Sequence, residues 1–179
     1  MMKANMPDAT TSKLTEINVA PLTNEDIEGV REVSLPHQQV KFAGTADEFL
    51  AEDSETIHRH VIKRADETVG FFKLDTDYTS QYDFCPPKTL GLRMFVVDAR
   101  YQGQGLGTGA VKALLKYLPV AYRDFNWVYL TVNCQNPAAK ACYQKGGFTD
   151  TGELYWGGAA GPQHIMYAAI DADNKGKAQ

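Results

Sequence analysis

The stretch that decides the fold of this chain is Gln102-Gly103-Gln104-Gly105-Leu106-Gly107. A nearly continuous apolar run, residues 90–97, precedes it, and apolar residues at helical spacing follow it: Val111, Leu114, Leu115 and Leu118. A strand that leads through small residues into a helix suits a phosphate, because free N–H groups and the helix dipole favour negative charge there. Larger side chains would keep an anion away from this backbone. The stretch predicts a phosphate-bearing ligand and a helix that ends near Pro119.

Three kinds of connection share this outline. A P-loop requires Lys-Ser or Lys-Thr after its last glycine, and neither follows here. Residues 105–110 loosely satisfy a Rossmann pattern, but that fold places an acidic residue at the end of the next strand, where this chain has Asn133. A glycine-rich connection without any ligand is the structural alternative. On the loop alone, the nucleotide stays undecided.

Two stretches of the chain resemble the GNAT superfamily of N-acetyltransferases. Residues 97–107 are similar to its coenzyme A loop, Gln/Arg-x-x-Gly-x-Gly/Ala after a strand, with Ala99 where many members have proline. Residues 136–148 are similar to its second signature, Asn-x-x-Ala-x-x-x-Tyr-x-x-x-Gly-Phe. Both occur in order and at a family-like separation, and the resemblance covers roughly residues 15–170.

The resemblance implies an α/β fold with a single mixed, mostly antiparallel sheet, helices on both faces, and strands splayed around the coenzyme. It implies acetyl-CoA as co-substrate, without a metal, and direct attack by a primary amine in a ternary complex. The backbone amide of Phe95 would polarise the thioester carbonyl. The residues expected to bind the coenzyme are Phe95, Val96, Val97, Gln102, Gly103, Gln104, Gly105, Leu106, Gly107, Thr108, Asn136 and Tyr143.

Tyr143 is the expected catalytic acid. It follows Asn136 by seven residues, so both lie on one helix face, two turns apart. A tyrosine with a pKa of about 10 keeps its proton at neutral pH and can give it to a departing thiolate. The structural alternative is a core tyrosine. Cys142 is expected on a different helix face, which favours direct attack over an acyl-cysteine intermediate.

The sequence does not identify a general base. Some relatives carry glutamate on the strand before the loop, at a position that is Gly91 here, and residues 90–97 contain no carboxylate. An alkylamine is almost fully protonated at pH 7, so its proton must be removed before attack. The remaining candidates, each as readily explained as a surface or turn residue, are Asp75, Asp77, Asp83 and His164.

The acceptor is expected to be a small molecule bound between residues 35–42 and 155–164. Residues 35–50 weakly resemble bacterial polyamine acetyltransferases, which favours a polyamine-like amine. Side chains suited to holding a cation are Tyr78, Tyr82, Asp77 and Asp83. The alternatives are acetylation of a protein or peptide amine, and a weakly active acyl-CoA sensor or interaction module.

The composition of the chain narrows the classes of protein to which it can belong. A net charge of −4 over 179 residues argues against a general nucleic-acid binder, which needs a basic surface. Three cysteines without a CxxC pair predict neither a disulfide framework nor a zinc site. The absence of a long apolar run favours a cytoplasmic, membrane-free protein, as a monomer or homodimer.

One domain is expected over residues 1–179, with an ordered core of about 15–170 and polar tails. Helix starts are predicted at Thr23, at Thr45 and at Asn136-Pro137, the last helix closing at Gly146-Gly147. The predicted strands are residues 58–64, 68–75, 90–97, 127–132, 148–155 and 164–170.

Overall fold

The computed structural model describes residues 16–35 and 44–170, within which seven strands form one sheet. The strands are β1 Ile17–Pro21, β2 Ile57–Arg64, β3 Glu67–Asp75, β4 Thr89–Val97, β5 Trp127–Asn133, β6 Thr149–Tyr155 and β7 Gln163–Ala169. Their order is β1-β2-β3-β4-β5-β7-β6, and only the β4–β5 pair is parallel. The predicted mixed, mostly antiparallel sheet is confirmed.

The described parts of the chain contain four α-helices. They are α1 Ile27–Glu32, α2 Ala46–Leu50, α3 Leu106–Ala121 and α4 Pro137–Gly146. Thr45 caps α2 as predicted, since its hydroxyl accepts from Glu48 N at 3.2 Å. Asn136 caps α4, accepting from Ala139 N at 3.3 Å, and Pro137 occupies the first turn. No described helix combines the length and the apolar character that crossing a membrane requires.

The helices pack on both faces of the sheet. On one face, α3 covers a buried apolar cluster that includes Phe72, Leu90 and Leu114. On the other, α1 and α2 cover a smaller cluster that includes Phe49 and Phe71, whose rings stack at 4.4 Å. Burial of these side chains on two faces stabilises a sheet whose central strands read as continuous apolar runs.

Strands β4 and β5 separate partway along their length. They pair only over Thr89–Gly91 and Trp127–Tyr129, so the rest of each strand diverges into a wedge. A bulge in β4 adds to the distortion, because both Met94 and Phe95 lie between the ladder positions of Arg93 and Val96. Met94 takes a φ of 50°, which is rare for a non-glycine residue. The predicted splay is confirmed, and it opens the sheet beside Phe95.

Helix α3 ends at Ala121, close to Pro119 as predicted, and it includes Pro119 because a proline in the last turn removes only a single backbone bond. Strand β1 is not predicted from the sequence. It is an edge strand of five residues, too short for an alternation of apolar and polar residues to identify it. Of the segment 35–42 expected beside the acceptor, only Leu35 falls within the described residues.

Candidate active site

The glycine loop lies where the sequence predicts, between the end of β4 and the start of α3. Gly103 and Gly105 take φ angles of 81° and 75°, and a Cβ at either position would meet no atom within 4 Å. Gly105 is the N-cap of α3, so the free N–H groups of a long helix face this open space. The Gln102 side chain folds back and donates to Val97 O at 3.1 Å. This geometry suits a bound anion.

A cavity of about 520 Å³, the loop-side cavity, extends from this loop along β4 to α4. Seven of the residues expected to bind the coenzyme from β4 and the loop line it: Phe95, Val96, Val97, Gln102, Gly103, Gly105 and Gly107, with Thr108 at the helix start. Leu106 is instead buried in the core, and the Gln104 side chain is exposed. Lys145, which sequence reasoning did not single out, also lines the cavity and brings a positive charge to it. The neighbouring lysine on α4, Lys140, pairs its Nζ with Asp150 Oδ2 at 2.8 Å and does not line the cavity.

A second cavity of about 500 Å³ lies on the α2 side of the wedge. Its walls come from β3, β4, β5 and the segment before β7, and its charged lining residues are Glu52, Lys73 and Arg93. From residues 155–164, which are expected beside the acceptor, Ala159, Ala160 and Gln163 line this cavity.

Four residues line both cavities: Phe95, Asn136, Ala139 and Tyr143. The Tyr143 ring is half-buried between Phe95 and Phe148, at centroid distances of 5.7 and 5.8 Å. Burial raises the pKa of Tyr143, so its hydroxyl keeps its proton at neutral pH. The one-face placement of Asn136 and Tyr143 expected from their spacing therefore brings both to the junction of the two cavities.

Gly91 has no room for a carboxylate-bearing side chain. A Cβ at this position would overlap the ring of Tyr78, which is buried directly over it. The absence of glutamate at this position therefore has a packing reason.

We expect Gly91→Glu to lower the free energy of unfolding by about 2 kcal/mol, because overpacking a closed site typically costs this much. Thermal unfolding measures the change. In the background of Tyr78→Ala, which lacks the ring, Gly91→Glu should cost less than it does in the parent protein. A single variant as stable as the parent protein would refute the packing explanation.

None of the four candidate bases lines either cavity. Asp75 is fully buried and accepts from Arg93 Nε at 2.9 Å. Asp77 accepts from the Ser80 hydroxyl, and Asp83 is exposed. His164 lies 4.0 Å from Asp150. The structure therefore assigns these residues to ion pairs, turns and the surface.

The aromatic side chains expected to hold a substrate cation already hold one from the chain itself. The Arg93 guanidinium lies 5.1 Å from the Tyr78 ring centre and 5.4 Å from that of Tyr82. Glu52 is the carboxylate that lines the second cavity, and the sequence analysis does not identify it. Its partner is Lys73 Nζ at 2.8 Å, and this hydrogen bond lowers the pKa of Glu52.

Cys142 lines the loop-side cavity, but it has the properties of a packed thiol. Burial raises the pKa of Cys142, and its neighbours are the Thr108 hydroxyl at 3.9 Å and the backbone of Gly107. A nucleophilic cysteine needs a lowered pKa or an adjacent base. The surroundings of Cys142 do not favour a covalent route.

Comparison with known proteins finds one family, that of acetyltransferases. A family model described as "Acetyltransferase (GNAT) family" matches residues 24–148. The spermine/spermidine N(1)-acetyltransferase of Bacillus subtilis (strain 168) is 27% identical over 150 residues, covering 79% of this chain and 93% of that protein.

Solved structures share the fold. Aminoglycoside acetyltransferase AAC(6')-Ib in complex with coenzyme A has a TM-score of 0.71 at 18% identity, covering 91% of this chain and 99% of that one. Spermidine N-acetyltransferase from Vibrio cholerae, in complex with CoA and spermine, has a TM-score of 0.62 at 16% identity, with coverage of 87% and 96%.

Proposed function

Because this chain belongs to the acetyltransferase (GNAT) family, we propose that it moves the acetyl group of acetyl-CoA to a primary amine of a small molecule. The observation that carries the proposal is the pair of cavities that open on the two sides of the β4–β5 wedge and share four residues. An acyl donor in one cavity and an amine in the other meet at that shared wall, which is what direct attack in a ternary complex requires.

The loop-side cavity is assigned to the coenzyme. The backbone amides from Gln102 to Thr108 would hold its pyrophosphate at the start of α3, and Lys145 would add positive charge. The pantetheine arm would run along β4 past Val97 and Phe95 and reach Asn136. The side-chain oxygen of Asn136 caps α4, so its amide N–H groups are the ones offered to the arm.

At the shared wall, the Phe95 N–H would polarise the thioester carbonyl, and Tyr143 would protonate the departing thiolate. The β4 bulge supports the first role, because it takes Phe95 out of the regular β3–β4 register. The position of Tyr143 supports the second role, because its side chain lines the wall shared by both cavities and a tyrosine hydroxyl carries a proton at neutral pH. Asn136 and Ala139 complete the wall as positioning residues.

The acceptor class is proposed as a primary amine, with polyamine-like compounds as the first members to test. The support for them is the named relatives, one from Bacillus subtilis and one from Vibrio cholerae, that act on or bind polyamines. The cavity itself does not add to this support, since Tyr78 and Glu52 in its lining already contact Arg93 and Lys73.

The test is an acceptor screen that measures thiol release from acetyl-CoA with polyamines, amino acids, aminoglycosides and peptides. We expect acceptor-dependent thiol release well above acetyl-CoA hydrolysis for at least one small-molecule amine. Tight coenzyme binding without turnover of any amine would reject the enzyme and favour the acyl-CoA sensor. Turnover of peptides alone would move the acceptor class to proteins.

A further inference from the structure

A row of like charges crosses the sheet beside the second cavity, which is the acceptor-side cavity of the proposed function. Arg59, Lys73 and Arg93 are direct cross-strand neighbours on β2, β3 and β4, so three cations lie side by side across the sheet. Like charges directly opposite each other destabilise a sheet. Two carboxylates, Glu52 and Asp75, offset this repulsion only partly, because they supply one negative charge fewer than the row carries.

Two members of this row face the cavity. The side chains of Lys73 and Arg93 are 9% and 28% exposed, and both line the cavity wall. Arg59 points elsewhere and donates to Leu50 O at 2.7 Å. The cavity therefore presents two cations against one carboxylate, Glu52, while Asp75 is fully buried behind Arg93.

Both cations keep N–H groups that no described residue uses as hydrogen-bond donors. Among the described residues, Lys73 Nζ has one partner, Glu52 at 2.8 Å, whereas an ammonium carries three N–H groups. Arg93 donates to Asp75, to Gln81 Oε1 at 2.9 Å and to the Tyr82 hydroxyl at 3.4 Å, whereas a guanidinium carries five N–H groups. These bonds also fix the direction in which the guanidinium points, so it is preorganised.

We propose that the acceptor carries a carboxylate besides its primary amine, and that Lys73 and Arg93 bind this carboxylate. The inference rests on the proposed function and names the substrate class of the same site: an amino-acid-like zwitterion. Its carboxylate would lie toward Lys73 and Arg93, which leaves its primary amine for the wall that the two cavities share at Phe95 and Tyr143. A polyamine offers only cations to a wall that already holds two.

The first test compares amines that differ only by a carboxylate, namely lysine against cadaverine and ornithine against putrescine, with spermidine alongside. We expect kcat/KM to be at least tenfold higher for the carboxylate-bearing member of each pair. Equal rates, or a preference for cadaverine, putrescine or spermidine, would overturn the proposal.

The second test uses Lys73→Met, with Lys73→Arg as the matched variant that keeps the charge. We expect Lys73→Met to raise KM for lysine at least tenfold and to bring the lysine-to-cadaverine ratio of kcat/KM close to one, whereas Lys73→Arg keeps the preference. Because Lys73→Met leaves Glu52 without its partner, thermal unfolding of Lys73→Met and its affinity for CoA check that a lost preference does not follow from misfolding. An unchanged ratio in folded Lys73→Met would contradict the inference.

Calorimetric binding of lysine to the protein saturated with CoA separates this inference from the proposed function. Binding to the parent protein that disappears in Lys73→Met supports the carboxylate site even if no amine is acetylated. Binding of cadaverine but not of lysine, or no binding of either, overturns the site. Turnover only of amines that lack a carboxylate would support the proposed acetyltransferase activity and reject the zwitterionic acceptor.

Discussion

Replacement of Tyr143 by phenylalanine is expected to lower kcat at least tenfold while coenzyme affinity stays near that of the parent protein. The change removes one hydroxyl and keeps the ring that packs between Phe95 and Phe148. A positioned acid typically contributes 10²–10⁴-fold to a rate, and a tenfold loss corresponds to about 1.4 kcal/mol of barrier. Steady-state rates with a saturating amine, and CoA titration, give the two quantities.

Tyr167→Phe is the matched control, because Tyr167 lies on β7, stacks on Tyr129 and lines neither cavity. It should leave both quantities unchanged. If Tyr143→Phe also leaves kcat unchanged, Tyr143 is a packing residue and the proton comes from elsewhere.

Replacement of Gly105 by alanine is expected to weaken coenzyme binding at least tenfold. The left-handed φ of 75° strains an alanine, and its Cβ enters the open space in front of the α3 N-terminus. A pyrophosphate held by backbone N–H groups would have to move outward, which weakens charge-assisted hydrogen bonds worth roughly 1.5–3 kcal/mol each. Titration with CoA measures the change.

Gly152→Ala is the control that separates strain from obstruction. Gly152 has a φ of 81°, and a Cβ there would also meet no atom within 4 Å, but it lies on β6 away from the loop. Both variants should lose similar stability, whereas only Gly105→Ala should lose coenzyme affinity. Equal affinity in the two would show that the pyrophosphate is not held at this loop.

The fold could be predicted well because its main signals are local. The apolar run of β4, the glycine loop and the helical spacing of Val111, Leu114 and Leu118 identify consecutive elements without tertiary information. The cap at Asn136 likewise depends only on its neighbours along the chain. Strand β1 escaped prediction because it is short and partly exposed.

The acceptor side could not be predicted because its contacts join distant parts of the chain. Glu52 follows α2 and forms an ion pair with Lys73 on β3. No sequence pattern around either residue predicts this ion pair. Tyr78 was identified as a residue for a cation, but its ring lies on Gly91 and beside Arg93, which depends on how the segment after β3 folds back. The coenzyme side was easier to predict, because the backbone amides expected to bind the phosphates belong to consecutive residues of one loop.

A crystal structure of the protein with CoA tests the central claim most directly. The quantity to measure is the distance from the coenzyme sulfur to the Tyr143 hydroxyl. The proposed mechanism predicts the pyrophosphate at the start of α3, the arm along β4, and the sulfur within hydrogen-bond reach of Tyr143 at the wall shared by the two cavities. A sulfur that lies away from this wall, with the Tyr143 hydroxyl out of its reach, would contradict it.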